Sequence, residues 1–446
     1  MAGSSHFARL VLASSPKKIV LSGPSGFLGS RVLEEVARAH ALRREHGLQP
    51  GQLVLLSGSP GRLMATLTAQ HAKQEHRMRS IRASRVDYFH QHDPSDWTNH
   101  LGSLGLGGPD CVFVNLAAVA GPVAGIKDAM FDVNYKAALA AATASAALGF
   151  GHFVQSSTQA TVTERAGQVP YSRGKAMADF ALSRLGPSLP VTIACLGLLY
   201  CKIARGVGQD VGKAKLNLTD LALLPMTPIL GSGRAPLQPL EVSDAAKRLA
   251  LLALTDPALR PPQLVFPQDA SNSSSSSPKQ QLWGEMQRQS ASLRIFDAVG
   301  PETMTFLQVL EKFAHYQKNR HFWPVYVDYR NLEHILNIKS LGNLNRQFVS
   351  LLRSEQDGLS QTEIGNPAVF DSLIPDEPLL TLDQALAPAV KRRFPYLKTL
   401  RWALDNPKVI PLGARLGFEI LESALLRRRP PPAAAVADAA APPSAL

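Results

Sequence analysis

Tyr171 and Lys175 stand four residues apart in PYSRGKAMADFA, a stretch with a helical pattern. On a helix that spacing puts both side chains on one face, with the ammonium close to the phenol. A tyrosine with its ordinary pKa of about 10 is only roughly 0.1% ionised near pH 7. A neighbouring cation favours the phenolate, and the phenol can then give or take a proton at a substrate hydroxyl or carbonyl. Read alone, the same pair would also suit a solvated helix face.

A second spacing supplies the context that pair needs. In KKIVLSGPSGFLGSRVLEEVARAH, Lys17 to His40, three glycines at 23, 26 and 29 lie directly between an apolar strand and an amphipathic helix. The first glycine permits the tight turn, the second a close approach of backbone to a pyrophosphate, and the third tight packing of helix on sheet. The helix N-terminus then meets the negative charge. Gly23, Ser25, Gly26, Phe27, Leu28 and Gly29 therefore form a candidate dinucleotide loop, the structural alternative being a plain strand-to-helix turn.

These residues need a frame, and the chain's periodicity indicates one. Short runs rich in β-branched residues (KIVLSG, LVLLSG, CVFVNLAA, HFVQSS, VTIACLG) alternate with helical patterns such as SRVLEEVARAH and DVNYKAALAAATASAALG. That alternation predicts an α/β fold, a Rossmann-type doubly wound parallel sheet with helices on both faces. The predicted organisation is an N-terminal extension over 1–16, a nucleotide-binding core over 17–266, and a low-complexity loop over 267–293. A small substrate-side region over 294–390, a basic helical extension over 391–429 and a Pro/Ala tail over 430–446 follow. Gln268 to Gln281, QDASNSSSSSPKQQ, carries too little apolar area to offset the entropy of ordering.

Taken together, GPSGFLG, NLAAVAG after the fourth predicted strand, FVQSST after the fifth, DVN, YSRGKAMAD and PLEVSDAA resemble the short-chain dehydrogenase/reductase superfamily. Within it they resemble the extended branch of sugar-nucleotide epimerases, dehydratases and 3β-hydroxysteroid dehydrogenases, over roughly residues 17 to 315. The resemblance implies that Lys175 also bonds a nicotinamide ribose and that a hydroxyl at the end of the fifth strand, Thr158 or else Ser157, orients the substrate oxygen. It places Asn134 at an active-site asparagine, where a structural helix cap is the alternative, and puts Asn115, Ala117 and Ala118 beside the cofactor. Asp93 resembles the family's adenine-side aspartate, a helix cap again being the alternative.

The second strand bears on which cofactor is bound. NAD-preferring members usually carry a carboxylate at its end, to bond the ribose 2′-hydroxyl. Here Ser57 stands at that place, with Ser59 and Arg62 following, so a 2′-phosphate is accommodated and NADP is favoured over NAD. Two departures are visible: only QATVTERAGQVP separates Thr158 from Tyr171, and CLGLLY stands where the family reads Arg-Pro-Gly. These features, with VGPETMTFLQVL, are similar to the atypical members that keep the cofactor fold, among them the nucleotide-binding accessory subunit of mitochondrial complex I. Two functions follow as expectations. One is an NAD(P)-dependent oxidoreductase or epimerase acting on a hydroxyl or carbonyl, and the other is a non-catalytic nucleotide-binding subunit of an organellar membrane complex.

Composition narrows the partners. The chain has 446 residues and a net charge of +12, yet its basic residues are dispersed and no nucleic-acid-binding module is visible, so no nucleic-acid partner is expected. The exception is 391–429, where ten Lys and Arg face Asp405, Glu419 and Glu422. There PLGARLGFEILESALLRRR reads as a basic amphipathic helix, suited either to its own domain or to a membrane surface or protein complex. No apolar run approaches the roughly 20 residues of a membrane span. MAGSSHFARLVLASSPKK has no acidic residue, in keeping with a mitochondrial or plastid targeting segment or with an ordinary N-terminus of an organellar or cytoplasmic protein. Cys111, Cys195 and Cys201 sit in apolar runs as buried thiols, and His71, His76, His90 and His92 lack a ligand cluster, so no metal is expected.

Overall fold

The computed structural model describes residues 5–70, 81–119, 128–162, 170–186, 188–201, 222, 226–230, 232–256, 283, 285–286, 292–316, 322–327 and 364–387. The loop residues 163–169, His71 and His76, Gln268 to Gln281, most of 330–429 and the tail 430–446 lie outside the described residues.

Seven parallel strands form the central sheet: β1 (Lys18–Ser22), β2 (Gln52–Ser57), β3 (Ile81–Arg85), β4 (Cys111–Asn115), β5 (His152–Thr158), β6 (Val191–Leu196) and β7 (Leu293–Ala298). Their order is β7-β6-β5-β4-β1-β2-β3. β1 to β6 build outwards in both directions from β1, and the order reverses between β1 and β4, where Ser22 lies in register with Asn115. That reversal opens a crevice at the carboxyl ends of the two strands, the usual ligand position of such sheets. The fold is therefore the Rossmann-type α/β architecture that the strand-helix alternation predicts.

β1, β2, β4 and β6 read as near-continuous apolar runs because both of their faces are covered. Ile19 and Leu21 of β1, with Leu53 and Leu55 of β2, pack in one cluster with helices α1 (His6–Ala13), α2 (Phe27–Glu45) and α7 (Val242–Leu254). Val20, Val54 and Leu56 alternate onto the other face, beneath α4 (Pro94–Ser103) and the alanine-rich α5 (Ala138–Ala147). Between α2 and α4 lies α3 (Pro60–Gln70), and α6 (Pro170–Ser183) follows β5. The three cysteines are buried and form no disulfide with one another.

The N-terminal residues contribute to this core. Phe7 and Val11 of α1 are buried, and Arg43 of α2 donates to the carbonyls of Val11 (2.7 Å) and Ser14 (2.6 Å), fixing the end of α1. Beyond β7, α8 (Phe306–Tyr316) turns its apolar side onto Tyr200 and onto Leu382 and Ala385 of the short helix α9 (Leu382–Leu386). Trp283 and Met286, close after the serine-rich stretch, are buried on the α4 and α5 side of the sheet.

The segment 364–387 is tied to the core through Arg248 of α7. This fully buried guanidinium donates to the carbonyls of Phe370 (2.9 Å) and Glu377 (2.6 Å) and to Asp371 Oδ1 (3.2 Å). Among the described residues no helix is long and apolar enough to cross a membrane.

Candidate functional site

The glycine loop closes β1 onto α2 at the crevice. Gly23 has φ +67, a conformation open to glycine, and a Cβ on it would lie 2.8 Å from the Ala117 nitrogen. A Cβ on Gly29 would fall inside the Gly23 carbonyl oxygen and 2.9 Å from its carbon, so α2 can approach the loop this closely only without a side chain. Gly26 differs from both. It is exposed, and a Cβ there would meet only the Gly23 oxygen, at 3.2 Å. It is also the N-cap of α2 and offers no side-chain cap, which leaves the first amides of a 19-residue helix to an outside acceptor. Ser25 is exposed beside it, Phe27 half-buried and Leu28 buried, Leu28 packing into the core.

A buried polar chain joins this loop to β5. Ser22 Oγ donates to Asn115 Oδ1 (2.5 Å) and accepts from the amides of Leu116 (3.1 Å) and Ala117 (3.2 Å). Asn115 Nδ2 donates to Gln155 Oε1 (2.8 Å), whose own amide donates to the Ser156 carbonyl (3.0 Å). Asn115 thus ties three strands together, and its side chain is occupied within the sheet. Ala117 is buried against Gly23, and Ala118 follows it, exposed.

Lys175 ends that chain. Its Nζ donates to the Ser156 carbonyl at 2.8 Å, and the side chain is only 1% exposed. Tyr171 lies one turn earlier on α6 and is half-buried. Thr158 is half-buried at the last position of β5, its Oγ1 accepting from the Ala160 amide at 3.4 Å. Ser157 is buried and donates to Asp179 Oδ2. Lys175 and Asp179 thus tie α6 to Ser156 and Ser157 at the end of β5, with Thr158 the next residue of the strand and Tyr171 one turn before Lys175 on the helix.

Asn134 sits in a π-helical turn, Asp132–Ala137, that runs directly into α5. Its amide grips the backbone of Val119 twice, accepting from the nitrogen and donating to the oxygen, each at 2.9 Å. It holds the segment leaving β4, which carries Ala117 and Ala118. Gly174 explains how α6 comes so close: a Cβ there would lie 3.3 Å from both the Asn134 Cβ and the Met130 carbonyl.

On the β2 side, Ser57 ends its strand and accepts the Ser59 amide at 3.2 Å, while Arg62 is exposed in the first turn of α3. No carboxylate occupies the end of β2. Asp93 is the exposed N-cap of α4, accepting the Ser95 amide at 2.8 Å, so the geometry given to it is that of the helix cap. The first carboxylate past β3 is Asp87, which patterning does not single out because β3 is a polar edge strand. For Asp179 the one signal in the sequence is its place four residues after Lys175.

The electrostatics of the corner follow from burial. Desolvation pushes the Lys175 pKa down, and Asp179 opposes it. Desolvation pushes the Asp179 pKa up against the Ser157 hydrogen bond and the charge of Lys175. Among the described residues, no cluster of three His, Cys, Asp or Glu groups could hold a metal ion.

No protein-family model and no curated protein sequence matches the chain. Solved structures share its fold. The epimerase Mth375 of Methanothermobacter thermautotrophicus aligns over 91% of this chain and 97% of its own, with a TM-score of 0.53 and 14% identity. A UDP-glucuronic acid 4-epimerase of Bacillus cereus, solved as a mutant with a fluorinated substrate analogue and NAD, aligns over 83% and 96%, with a TM-score of 0.52 and 13% identity. The thiolation-reductase di-domain of an archaeal non-ribosomal peptide synthetase aligns over 89% and 78%, with a TM-score of 0.52 and 14% identity. At these identities the likeness is one of fold alone.

Proposed function

We propose that the chain is an NAD(P)-dependent oxidoreductase or epimerase of the extended short-chain dehydrogenase/reductase type, acting on a hydroxyl or carbonyl group, with Tyr171 as general acid and base. The observation that carries this reading is the bond of Lys175 to the carboxyl end of β5, with Tyr171 one turn before it on α6 and Thr158 at the strand's last position, in the sheet that also bears the glycine loop. The residues fit a dinucleotide. Gly26 leaves open the place that a pyrophosphate would take, and the uncapped start of α2 supplies amide donors. When bound, the nicotinamide would accept or return a hydride.

The chain's own residues do the rest. Thr158 offers its hydroxyl to the substrate oxygen, that of Ser157 being engaged with Asp179, and Tyr171 moves the proton at that oxygen. Lys175 favours the phenolate through its charge from one turn away. Asn134 keeps the segment after β4 in place. Ser57, Ser59 and Arg62, with no carboxylate among the residues that end β2, favour NADP over NAD, although the fold neighbour from Bacillus cereus holds NAD. The test is a spectrophotometric assay of the nucleotide-loaded protein against hydroxylated and carbonyl substrates, sugar nucleotides included. Tyr171→Phe should lower turnover by about 10² to 10⁴ and leave nucleotide affinity nearly unchanged.

One observation favours a second reading, a cofactor-binding structural subunit. The Lys175 ammonium is almost fully enclosed and already bonded to Ser156. In that case Tyr171→Phe would be silent in cells, and deletion of 391–429 would release the protein from its membrane or complex.

A further inference from the structure

Asp179 is a buried carboxylate where α6 packs on the end of β5, and the proposed reaction makes no use of it. It lies on α6 one turn beyond Lys175, so the two opposite charges share a helix face. Oδ2 takes the hydroxyl of Ser157 on β5, while Lys175 bonds the carbonyl of Ser156, the residue before it on the same strand. Two adjacent positions of β5 are thus pinned to α6, one through each member of the pair. Oδ1 of Asp179 is buried and has no hydrogen-bond partner among the described residues. A carboxylate is a costly choice for packing alone, since an apolar side chain of similar size would fill the space without the desolvation penalty.

The neighbours do not account for it either. Among the described residues, each of the two groups feels only the other as a charge. The π-helical turn packed on α6 brings Asn134, which is held by Val119, and Asp132, which pairs with Lys136 at 2.8 Å. β5 brings the serines and Thr158, and α6 itself brings Tyr171.

Resting on the reading of Tyr171 and Lys175 as the working pair, we propose that Asp179 is a positioning residue: it holds Ser157 at the end of β5 and keeps the Lys175 ammonium charged one turn from Tyr171. A neutral lysine would withdraw the charge that favours the phenolate, and an unanchored Ser157 would loosen the strand end that carries Thr158. Asp179 acts on the reaction only through these two residues.

The test follows the titration of Lys175 by NMR in the full chain labelled with 13C-lysine, its signal assigned with Lys175→Met, in the absence of nucleotide. Asp179→Asn keeps an acceptor for Ser157 and removes the charge. Its Lys175 midpoint should fall by about 1 to 3 pH units, the range for losing one close opposite charge. Asp179→Glu should restore part of the shift. An unmoved midpoint in Asp179→Asn overturns the proposal. Should that variant not fold, the unaltered chain decides: the Lys175 signal must show a second inflection where Asp179 takes up its proton, and a single step overturns the proposal. Calorimetry with NADP(H) and NAD(H) on the same samples separates the two ideas. Nucleotide binding with an unmoved lysine removes Asp179 alone, whereas a shifted lysine in a chain that binds neither nucleotide leaves the pairing and removes the functional reading beneath it.

Discussion

Replacing Gly26 by valine should abolish nucleotide binding at little cost in stability, whereas replacing Gly29 or Gly23 by alanine should damage both. Gly26 has φ −73 and ψ 170, an ordinary extended conformation, and an added Cβ meets only the Gly23 oxygen at 3.2 Å. Loss of the glycine N-cap costs at most about 1 kcal/mol, and the reduced freedom of the unfolded chain returns about 0.4–1 kcal/mol. The net change is therefore within about 1 kcal/mol. Gly23 is different, since its φ of +67 costs alanine about 1–2 kcal/mol. Contacts of 2.8 Å to the Ala117 nitrogen and the Leu116 carbonyl carbon add the roughly 1–3 kcal/mol of an overpacked site. The total is about 2–5 kcal/mol. Gly29→Ala, whose Cβ would overlap the Gly23 carbonyl, belongs with Gly23→Ala. Urea unfolding gives the stabilities, and calorimetry with NADP(H) and NAD(H) gives the affinities. A folded Gly26→Val protein that binds both nucleotides as tightly as the unaltered chain would refute the reasoning, because the open side of Gly26 would then face no ligand.

Arg62→Ala should weaken NADP(H) about 10- to 100-fold, the worth of one charge-assisted hydrogen bond, and leave NAD(H) unchanged; equal losses in a fluorescence titration would remove Arg62 from the cofactor site. His40 is buried, both ring nitrogens without a partner among the described residues, and burial, with Arg44 and Arg43 nearby, lowers its pKa to about 4. The unfolded chain binds a proton there from about pH 6.5 downwards while the folded chain does not, so stability falls as pH drops from about 6.5 to 4, by about 3 kcal/mol in all. His40→Leu should flatten that limb of the pH–stability curve; an unchanged limb in urea unfolding would contradict it. Deleting residues 1–14 should cost about 3–5 kcal/mol, since Phe7 and Val11 leave the core and Arg43 loses two carbonyl partners, and an unaltered thermal midpoint would show that α1 is dispensable.

The strands nearest the site were the easiest to read. β1, β4 and β6 are apolar on both faces, and the glycine triplet falls where a strand gives way to a helix, so the crevice and its loop were legible from patterning alone. β3 was not, because an edge strand reading IRASR has one buried residue and carries no apolar run. Nor was the role of α1: HFARLVLA looks like a leader segment, and only the tertiary contacts of Phe7 and Val11 show it as part of the core. Within the site, spacing put Tyr171 and Lys175 on one face but could not say where the ammonium would go. Its bond to Ser156 depends on how closely α6 approaches β5, which in turn depends on Gly174 fitting against the π-helical turn. Asn134 and Asp93 show the same limit. Each was compatible with a ligand or with a structural hydrogen bond, and the backbone partner, Val119 for one and Ser95 for the other, is a matter of tertiary or local geometry that composition does not encode.

The central claim is that the crevice between β1 and β4 holds a nicotinamide dinucleotide. The most direct measurement is isothermal titration of the purified chain, stripped of bound nucleotide, with NADP(H) and NAD(H), beside a folded Gly26→Val control. One nucleotide bound per chain, with NADP(H) the tighter and binding lost in the control, is the result expected. A folded chain that takes up neither nucleotide, or binds equally well with valine at position 26, would contradict it.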